Sequence, residues 1–287
     1  MGMIRLKALR PLAKWRSFRF ITAIMYSKAP ATDNLPNALL LVYSDNGNVI
    51  LEAEFNSWYD EEHVPQRVKF PGCTHATRYQ AIDSKHPPWV ALYHLDDPGI
   101  AESKEWYQLR EVASENERVI LETVPIMTRS IYAVFSRHAK DTDQSSSGNR
   151  SPGKVVCIVH IQIERRESED STSSSSNSVK QQAEPELEAE FRLWHRDLIT
   201  KAVSTMPGWV RSTMYTRYSG SDMKTTPELK AAMDSGLLVI HEWDEGGDAL
   251  EVMKMEANVA AQVGIWENEN RCKVRREVRI VSLHRAW

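Results

Sequence analysis

Residues 52–58, Glu52-Ala53-Glu54-Phe55-Asn56-Ser57-Trp58, return as Glu188-Ala189-Glu190-Phe191-Arg192-Leu193-Trp194. Thirteen residues after each tryptophan stands a Pro-Gly pair, Pro71-Gly72 and Pro207-Gly208, and Tyr79 and Tyr215 fall at the same offset. Matches that stay in register over such a distance mark an internal duplication. Working outward from the first copy, Ala38 to Tyr43 is a short apolar run ending at Ser44-Asp45-Asn46-Gly47, which predicts a strand and a turn. Leu51, Phe55, Trp58, Tyr59 and Glu62 recur at spacings of three and four, which predicts a helix from Leu51 to about Val68. Thr74–Ile82 and Trp89–Leu95 read as strands, Ile100–Val112 as a second helix and Ile126–Phe135 as a fourth strand.

The same order returns in the second copy. Val155–Ile163, Trp209–Tyr218, Leu237–Trp243 and Cys272–Leu283 read as strands, with helices from Leu187 to about Val203 and from Ala249 to about Ile265. Ser219–Ser235 reads as a polar insertion, and in the third strands Tyr93-His94-Leu95 aligns with Ile240-His241-Glu242. The element order β-α-β-β-α-β is the ferredoxin-like unit, whose helices cover one sheet face and leave the other bare. The expected fold is α+β: two ferredoxin-like βαββαβ units in tandem pack sheet against sheet into an intramolecular eight-stranded α/β barrel with outer helices. The expected boundaries are a basic N-terminal extension over 1–36, repeat 1 over 37–136, a linker over 137–153, and repeat 2 over 154–287. Repeat 2 would carry a Ser-rich loop insertion near 166–185, too poor in apolar residues to pack.

The chain has 287 residues, 41% of them hydrophobic and 26% charged, with a formal net charge of −3. That balance offers no basic stripe for nucleic acid. No apolar run reaches the ~18–20 residues of a membrane span. Three cysteines, far apart, make neither a disulfide framework nor a zinc site, and point to a reducing compartment. Residues 1–32 hold seven Lys and Arg and no acid, with Trp15, Phe18 and Phe20 interleaved. This composition fits a mitochondrial transit peptide, or an extension ahead of a true start at Met25; without a transit peptide the chain is expected in the cytoplasm.

The segment Phe55-Asn56-Ser57-Trp58-Tyr59-Asp60-Glu61-Glu62-His63-Val64-Pro65, followed by Pro71-Gly72, Arg78-Tyr79 and the strand Trp89-Val90-Ala91-Leu92-Tyr93, resembles the EthD-like branch of the dimeric α/β-barrel superfamily. The resemblance covers residues 37–136 well and 154–284 more faintly. It implies the barrel fold, a tandem form as in fungal proteins, and a setting in secondary metabolism. Relatives include polyketide cyclases, decarboxylases, dehydratases, monooxygenases working without metal or flavin, muconolactone isomerases and heme binders. One fold hosts many chemistries, so activity rests on the site.

On a regular helix each residue advances about 100°, which places Glu62 about 20° and His63 about 80° from the inward face centred on Phe55. In the resembled family the histidine matching His63 lines the ligand cavity. The expected catalytic set is His63 as general acid or base, Glu62 as its orienting partner and Tyr79, or else Tyr93, as hydrogen-bond donor to a developing oxyanion. Glu62 is expected to pair with Arg78 or His63. Tyr59, His75, Arg78, Trp89, Tyr93 and Tyr107 are expected to line the ligand site. At the equivalent positions the second copy has His195, Leu198 and Ile199 in place of Tyr59, Glu62 and His63, so it is expected only to complete the barrel. No HxH, HxxxH, HExxH, GxGxxG or GxSxG pattern occurs, and no metal or other cofactor is expected. The expected activity is proton transfer of the lyase, isomerase or cyclase type on an aromatic or polyketide-like molecule, with one active cavity in repeat 1. A non-catalytic small-molecule binder and a structural protein with a filled cavity are the alternatives. The expected partner is a small molecule, and the chain is expected as a monomer holding an internal pseudo-dimer, or as a homodimer.

Overall fold

The computed structural model describes residues 35–140, 151–165 and 177–287. Its strands are β1 (Ala38–Asp45), β2 (Cys73–Ala81), β3 (Trp89–Leu95), β4 (Ile126–Ala139), β5 (Val155–Arg165), β6 (Trp209–Lys224), β7 (Leu237–Trp243) and β8 (Cys272–Ala286). They close into one barrel in the order β1-β3-β2-β8-β5-β7-β6-β4. Within it, β4-β1-β3-β2 and β8-β5-β7-β6 are two ferredoxin-like sheets, and every neighbouring pair is antiparallel. The sheets do not stack as separate layers. They join along both edges, β2 to β8 and β4 to β6, which leaves no open edge and turns both bare faces into a shared interior.

β1 reads as an unbroken apolar run because both of its faces are covered. Ala38, Leu40 and Val42 pack outward with Phe55 and Trp58, while Leu39, Leu41 and Tyr43 fill the barrel with Tyr79, Tyr132, Val156 and Ile158. Each fully buried Leu or Phe stabilises the fold by about 1.5–3 kcal/mol. The helices lie outside. In the first half they are α1 (Glu52–Trp58), a π-helical turn (Tyr59–His63), α2 (Val64–Val68), a 3-10 turn (Pro98–Glu102), α3 (Lys104–Gln108) and α4 (Glu115–Thr123). In the second half they are α5 (Asn177–Trp194), a π-helical turn (His195–Thr200), α6 (Lys201–Val203), α7 (Pro227–Met233) and α8 (Ala249–Asn270).

Several boundaries depart from expectation. The single helix expected over Ile100–Val112 is a 3-10 turn and short α3, and α4 lies beyond it where none was expected. The linker over 137–153 is strand as far as Ala139, and residues 141–150 lie outside the described residues. Of the Ser-rich insertion, 166–176 lies outside them too, and α5 already begins at Asn177. The extension over 1–36 lies outside them up to residue 34. The polar stretch Ser219–Ser235 is not a loop, because β6 runs on to Lys224 against β4 and α7 comes next. Ladder hydrogen bonds to β4 hold this strand end, so it needs no apolar alternation.

The third strands align one residue away from the sequence match. Asp96 N donates to Gly72 O (2.9 Å) and Asp244 N to Gly208 O (2.8 Å), which makes Asp96 the counterpart of Asp244. Tyr93 therefore matches His241, and His94 matches Glu242. His94 and His241 are not equivalent, and they face opposite sides of the sheet.

One buried ion pair ties the halves together. Arg279 of β8 reaches Asp83 in the β2–β3 loop (Nε to Oδ2, 3.3 Å) and donates to the carbonyls of Lys85 (3.1 Å) and Pro87 (2.8 Å). Asp83 also accepts from Ile280 N (2.8 Å). Removing one partner strands a buried charge, so Arg279→Ala is expected to cost about 3–5 kcal/mol in urea unfolding. The exposed Lys85–Glu277 pair is expected to contribute under about 1 kcal/mol. Equal losses from the two deletions would contradict the staple.

Candidate functional site

The π-helical turn sets the site. Val64 N bonds to Tyr59 O, five residues back, where a regular helix would bond four back. The extra residue retards the phase of the next helical residues by about 100°. His63 thereby takes the inward position that a regular helix would give Glu62. His63 is 7% exposed, and Glu62 is displaced toward the helix flank.

His63 meets a carboxylate, but that carboxylate is Glu117 of α4. Nδ1 of His63 lies 3.0 Å from Oε1 of Glu117, and Arg67 donates from Nη2 to the same oxygen at 3.0 Å. Arg67 also donates from Nη1 to the carbonyl of His63 (2.8 Å). Glu117 is fully buried, and its Oε2 has no hydrogen-bond partner among the described residues. Trp58 and Tyr59 pack on the imidazole, with ring centroids 4.5 and 5.0 Å away.

Burial first, then the Arg67 charge, push the His63 pKa down to about 3, against the pull of Glu117. Burial raises Glu117, but the hydrogen bond from His63 and the Arg67 charge outweigh it and hold the carboxyl well below its usual range. Because His63 is neutral at ordinary pH, Arg67 and a neutral N–H donor sustain that carboxylate rather than an imidazolium. A ring that donates Nδ1–H to Glu117 keeps its lone pair on Nε2, the form that accepts a proton.

Beside His63 a partly open cleft of about 50 Å³ lies between the helices and the outer face of the first sheet. Arg67, Tyr93, Trp106, Arg110 and Arg129 line it with His63. The Tyr93 hydroxyl is buried and has no partner among the described residues. A larger open groove, about 430 Å³, runs along α8 and β8 past the Glu256–Arg276 pair in the second half. Cavity size alone therefore does not single out the first repeat. The groove lies on the other repeat from His63, and the His63–Glu117–Arg67 cluster lies at the smaller cleft.

The other expected residues divide. Tyr59, Trp89 and Tyr93 belong to the helix-side core with His63's neighbours. Arg78 is locked by Asp60 Oδ1 (2.9 Å) and Asn56 Oδ1 (2.9 Å), with its guanidinium 4.1 Å from the Tyr59 ring centroid and 4.6 Å from that of Trp89. Glu62 thus pairs with neither Arg78 nor His63, and its Oε1 is buried without a partner among the described residues. Tyr79 points into the barrel interior, away from His63, because neighbouring strand residues alternate faces. His75 stacks on His94 at 4.0 Å, and His94, two residues beyond Leu92, lies on the interior face with Val90 and Leu92. Tyr107 is 41% exposed and does not line the cleft itself; it meets the lining arginines Arg129 and Arg110, whose guanidinium carbons lie 5.5 and 5.8 Å from its ring centroid.

Sequence reasoning missed Glu117, Arg67, Arg110 and Arg129. One signal for Glu117 was present: Ser114-Glu115-Asn116-Glu117 has capping-box spacing, and Ser114 Oγ does accept from Glu117 N (3.0 Å). In the second half, His195 and His241 stack at 6.0 Å, and His241 Nδ1 lies 2.6 Å from Ser212 Oγ. Both are buried, and neither lines the groove along α8.

No family model matches the chain, and no curated protein matches it in sequence. Solved structures do match. A monooxygenase candidate from Fusobacterium nucleatum aligns with TM-score 0.50 at 8% identity, over 88% of this chain and 94% of that one. An anthrone oxidase-like protein aligns with TM-score 0.49 at 10% identity, over 88% and 93%. A monooxygenase candidate from Lactobacillus acidophilus gives 0.46 at 10%, over 87% and 95%. The chain has the dimeric α/β-barrel fold in one polypeptide. At such identities the likeness extends to fold alone. Among the described residues no helix is long and apolar enough to cross a membrane.

His63, His160 and His241 are held at about 3 and His75 at about 4, while His94 and His195 are held well below the ordinary value, burial leading in each case. An unfolded histidine titrates near about 6.5. Between that value and the folded ones, only the unfolded chain binds these protons. Stability is therefore full above the unfolded pKa and lost as pH falls, by up to about 1.4 kcal/mol per pH unit per group. Denaturant midpoints are expected to fall steadily from about pH 7 to pH 5. A flat profile would contradict the buried neutral histidines.

Proposed function

We propose that the chain is a small-molecule enzyme of the EthD-like kind, in which His63 removes a proton from a substrate bound in the first-repeat cleft. The supporting observation is the neutral imidazole whose Nδ1 is committed to a buried carboxylate, with the cleft beside it. Glu117, rather than Glu62, fixes the ring and stabilises the imidazolium formed when Nε2 takes the proton. Of the two tyrosines expected as oxyanion donor, Tyr93 rather than Tyr79 takes the role: its hydroxyl, without a partner among the described residues, donates to the oxygen on which negative charge develops. The carbanion or enolate so formed expels a β leaving group or attacks an internal carbonyl to close a ring, on an aromatic or polyketide-like framework; in the decarboxylating variant the carbanion comes from loss of carbon dioxide and takes its proton from the His63 imidazolium. The name of the Fusobacterium protein suggests a further branch, in which the carbanion carbon bonds to dioxygen, the peroxide anion takes the proton back from His63, and loss of its remaining C–H proton with O–O cleavage leaves a carbonyl and water. Residues 37–136 supply all these side chains.

A second reading has one observation in its favour. The cleft's 50 Å³ is far below the ~300–1,000 Å³ of ordinary ligand pockets. On that reading, His63, Glu117 and Arg67 only lock α1–α2 to α4.

The two readings separate in deuterium oxide. A panel of polyketide-type aromatic ketones is incubated with the full chain, and C–H exchange and product formation are monitored by NMR. Base catalysis predicts exchange by the wild type and a loss of about 100-fold or more in His63→Ala, with the fold intact by circular dichroism. Undiminished exchange in His63→Ala would overturn the assignment. No exchange or binding by the wild type, with His63→Ala lowering only Tm, would favour the lock.

A further inference from the structure

Three arginines face the cleft, Arg67, Arg110 and Arg129. Arg67 shares Glu117 with His63. Arg129 is 7% exposed, and its Nη2 donates to the carbonyl of Ala101 (2.6 Å), a neutral group. No carboxylate pairs with Arg129 among the described residues, and the exposed Tyr107 ring is its other neighbour. Burial, and after it the charges of Arg110 and Arg67, pull its pKa down, while Tyr107 and Glu102 pull it up. With His63 neutral, Arg67 and Arg129 face the single carboxylate of Glu117, which leaves one positive charge over at the cleft. A buried guanidinium without a counter-charge is costly, and a built site that keeps one is completed by an anion.

We propose that this cleft binds the carboxylate of a small apolar acid, with Arg129 as the principal anchor and Arg110 beside it. The remaining lining fits that class. Leu40, Val42, Trp106, Leu121 and Met127 offer an apolar wall to the body of the ligand. A cleft of about 50 Å³ takes a planar two-oxygen head group, with the body lying toward its open side. This inference deepens the proposed function and rests on it for the chemistry after binding. Arginine pairing stabilises a carboxylate against leaving as carbon dioxide. The anchored group is therefore a handle, and His63 takes its proton elsewhere on the molecule. Elimination and cyclisation gain weight over decarboxylation.

The test uses the full wild-type chain with benzoate, its neutral isostere benzamide, and inorganic phosphate, each titrated by calorimetry. Benzoate is expected to bind at least about tenfold more tightly than benzamide or phosphate, and to weaken about tenfold or more in Arg129→Gln. Arg129→Lys keeps the charge without the fork and is expected to fall between the two. Benzoate binding no better than benzamide in the wild type would overturn the proposal without need of any variant. So would unaltered benzoate affinity in a folded Arg129→Gln protein, and phosphate binding as well as benzoate would overturn the carboxylate assignment. Failure of the base shows separately, as undiminished exchange by His63→Ala with benzoate binding unchanged.

Discussion

Oxygen Oε1 of Glu117 accepts hydrogen bonds from both His63 and Arg67, in a place closed to water, and the rest of the first-repeat site hangs on that one atom. It joins the helical segment after β1 to the one before β4, so the two outer helical layers cannot shift independently. It fixes the plane of the imidazole and the nitrogen that carries the proton. It also gives Arg67 a counter-charge, which Arg129 lacks among the described residues. A carboxylate left alone in this position would be raised by burial and neutralised. The cluster is sound only because all three members are present together.

Barrel closure makes room for such a cluster. Edge-to-edge joining commits the inner faces of both sheets to a common core, and this frees the outer face of the first sheet to pack on helices with a cleft between them. Internal duplication supplies the second sheet within the same chain. The second repeat then diverged at the matching positions: Ile199 stands for His63, His195 for Tyr59 and His241 for Tyr93. Its polar side chains turn inward on one another, and its groove opens along α8 instead.

Most of the architecture was legible in the sequence because it is written in periodicity and in the repeated Glu-Ala-Glu-Phe and Pro-Gly signals. The cleft was legible only in part. His63 and Tyr93 stand out by type and position. Glu117 does not, because it lies 54 residues from His63 on a helix whose polar composition reads as loop, and only its capping serine hints at order. Glu62 misled because its inward phase holds for a regular helix, and a π-helical turn leaves no mark in composition. Tyr79 misled because its strand face is set by barrel closure, not by its proximity to Arg78. The His94–His241 match failed by one residue because loops of unequal length precede the two third strands.

The nitrogen shifts of the His63 ring report on the Glu117 contact itself. In full-length protein labelled with nitrogen-15, the ring is expected to be neutral and protonated on Nδ1 from about pH 8 to pH 5, and to lose that fixed tautomer in Glu117→Gln. An Nε2-protonated ring, or an imidazolium already formed at about pH 6, would contradict it.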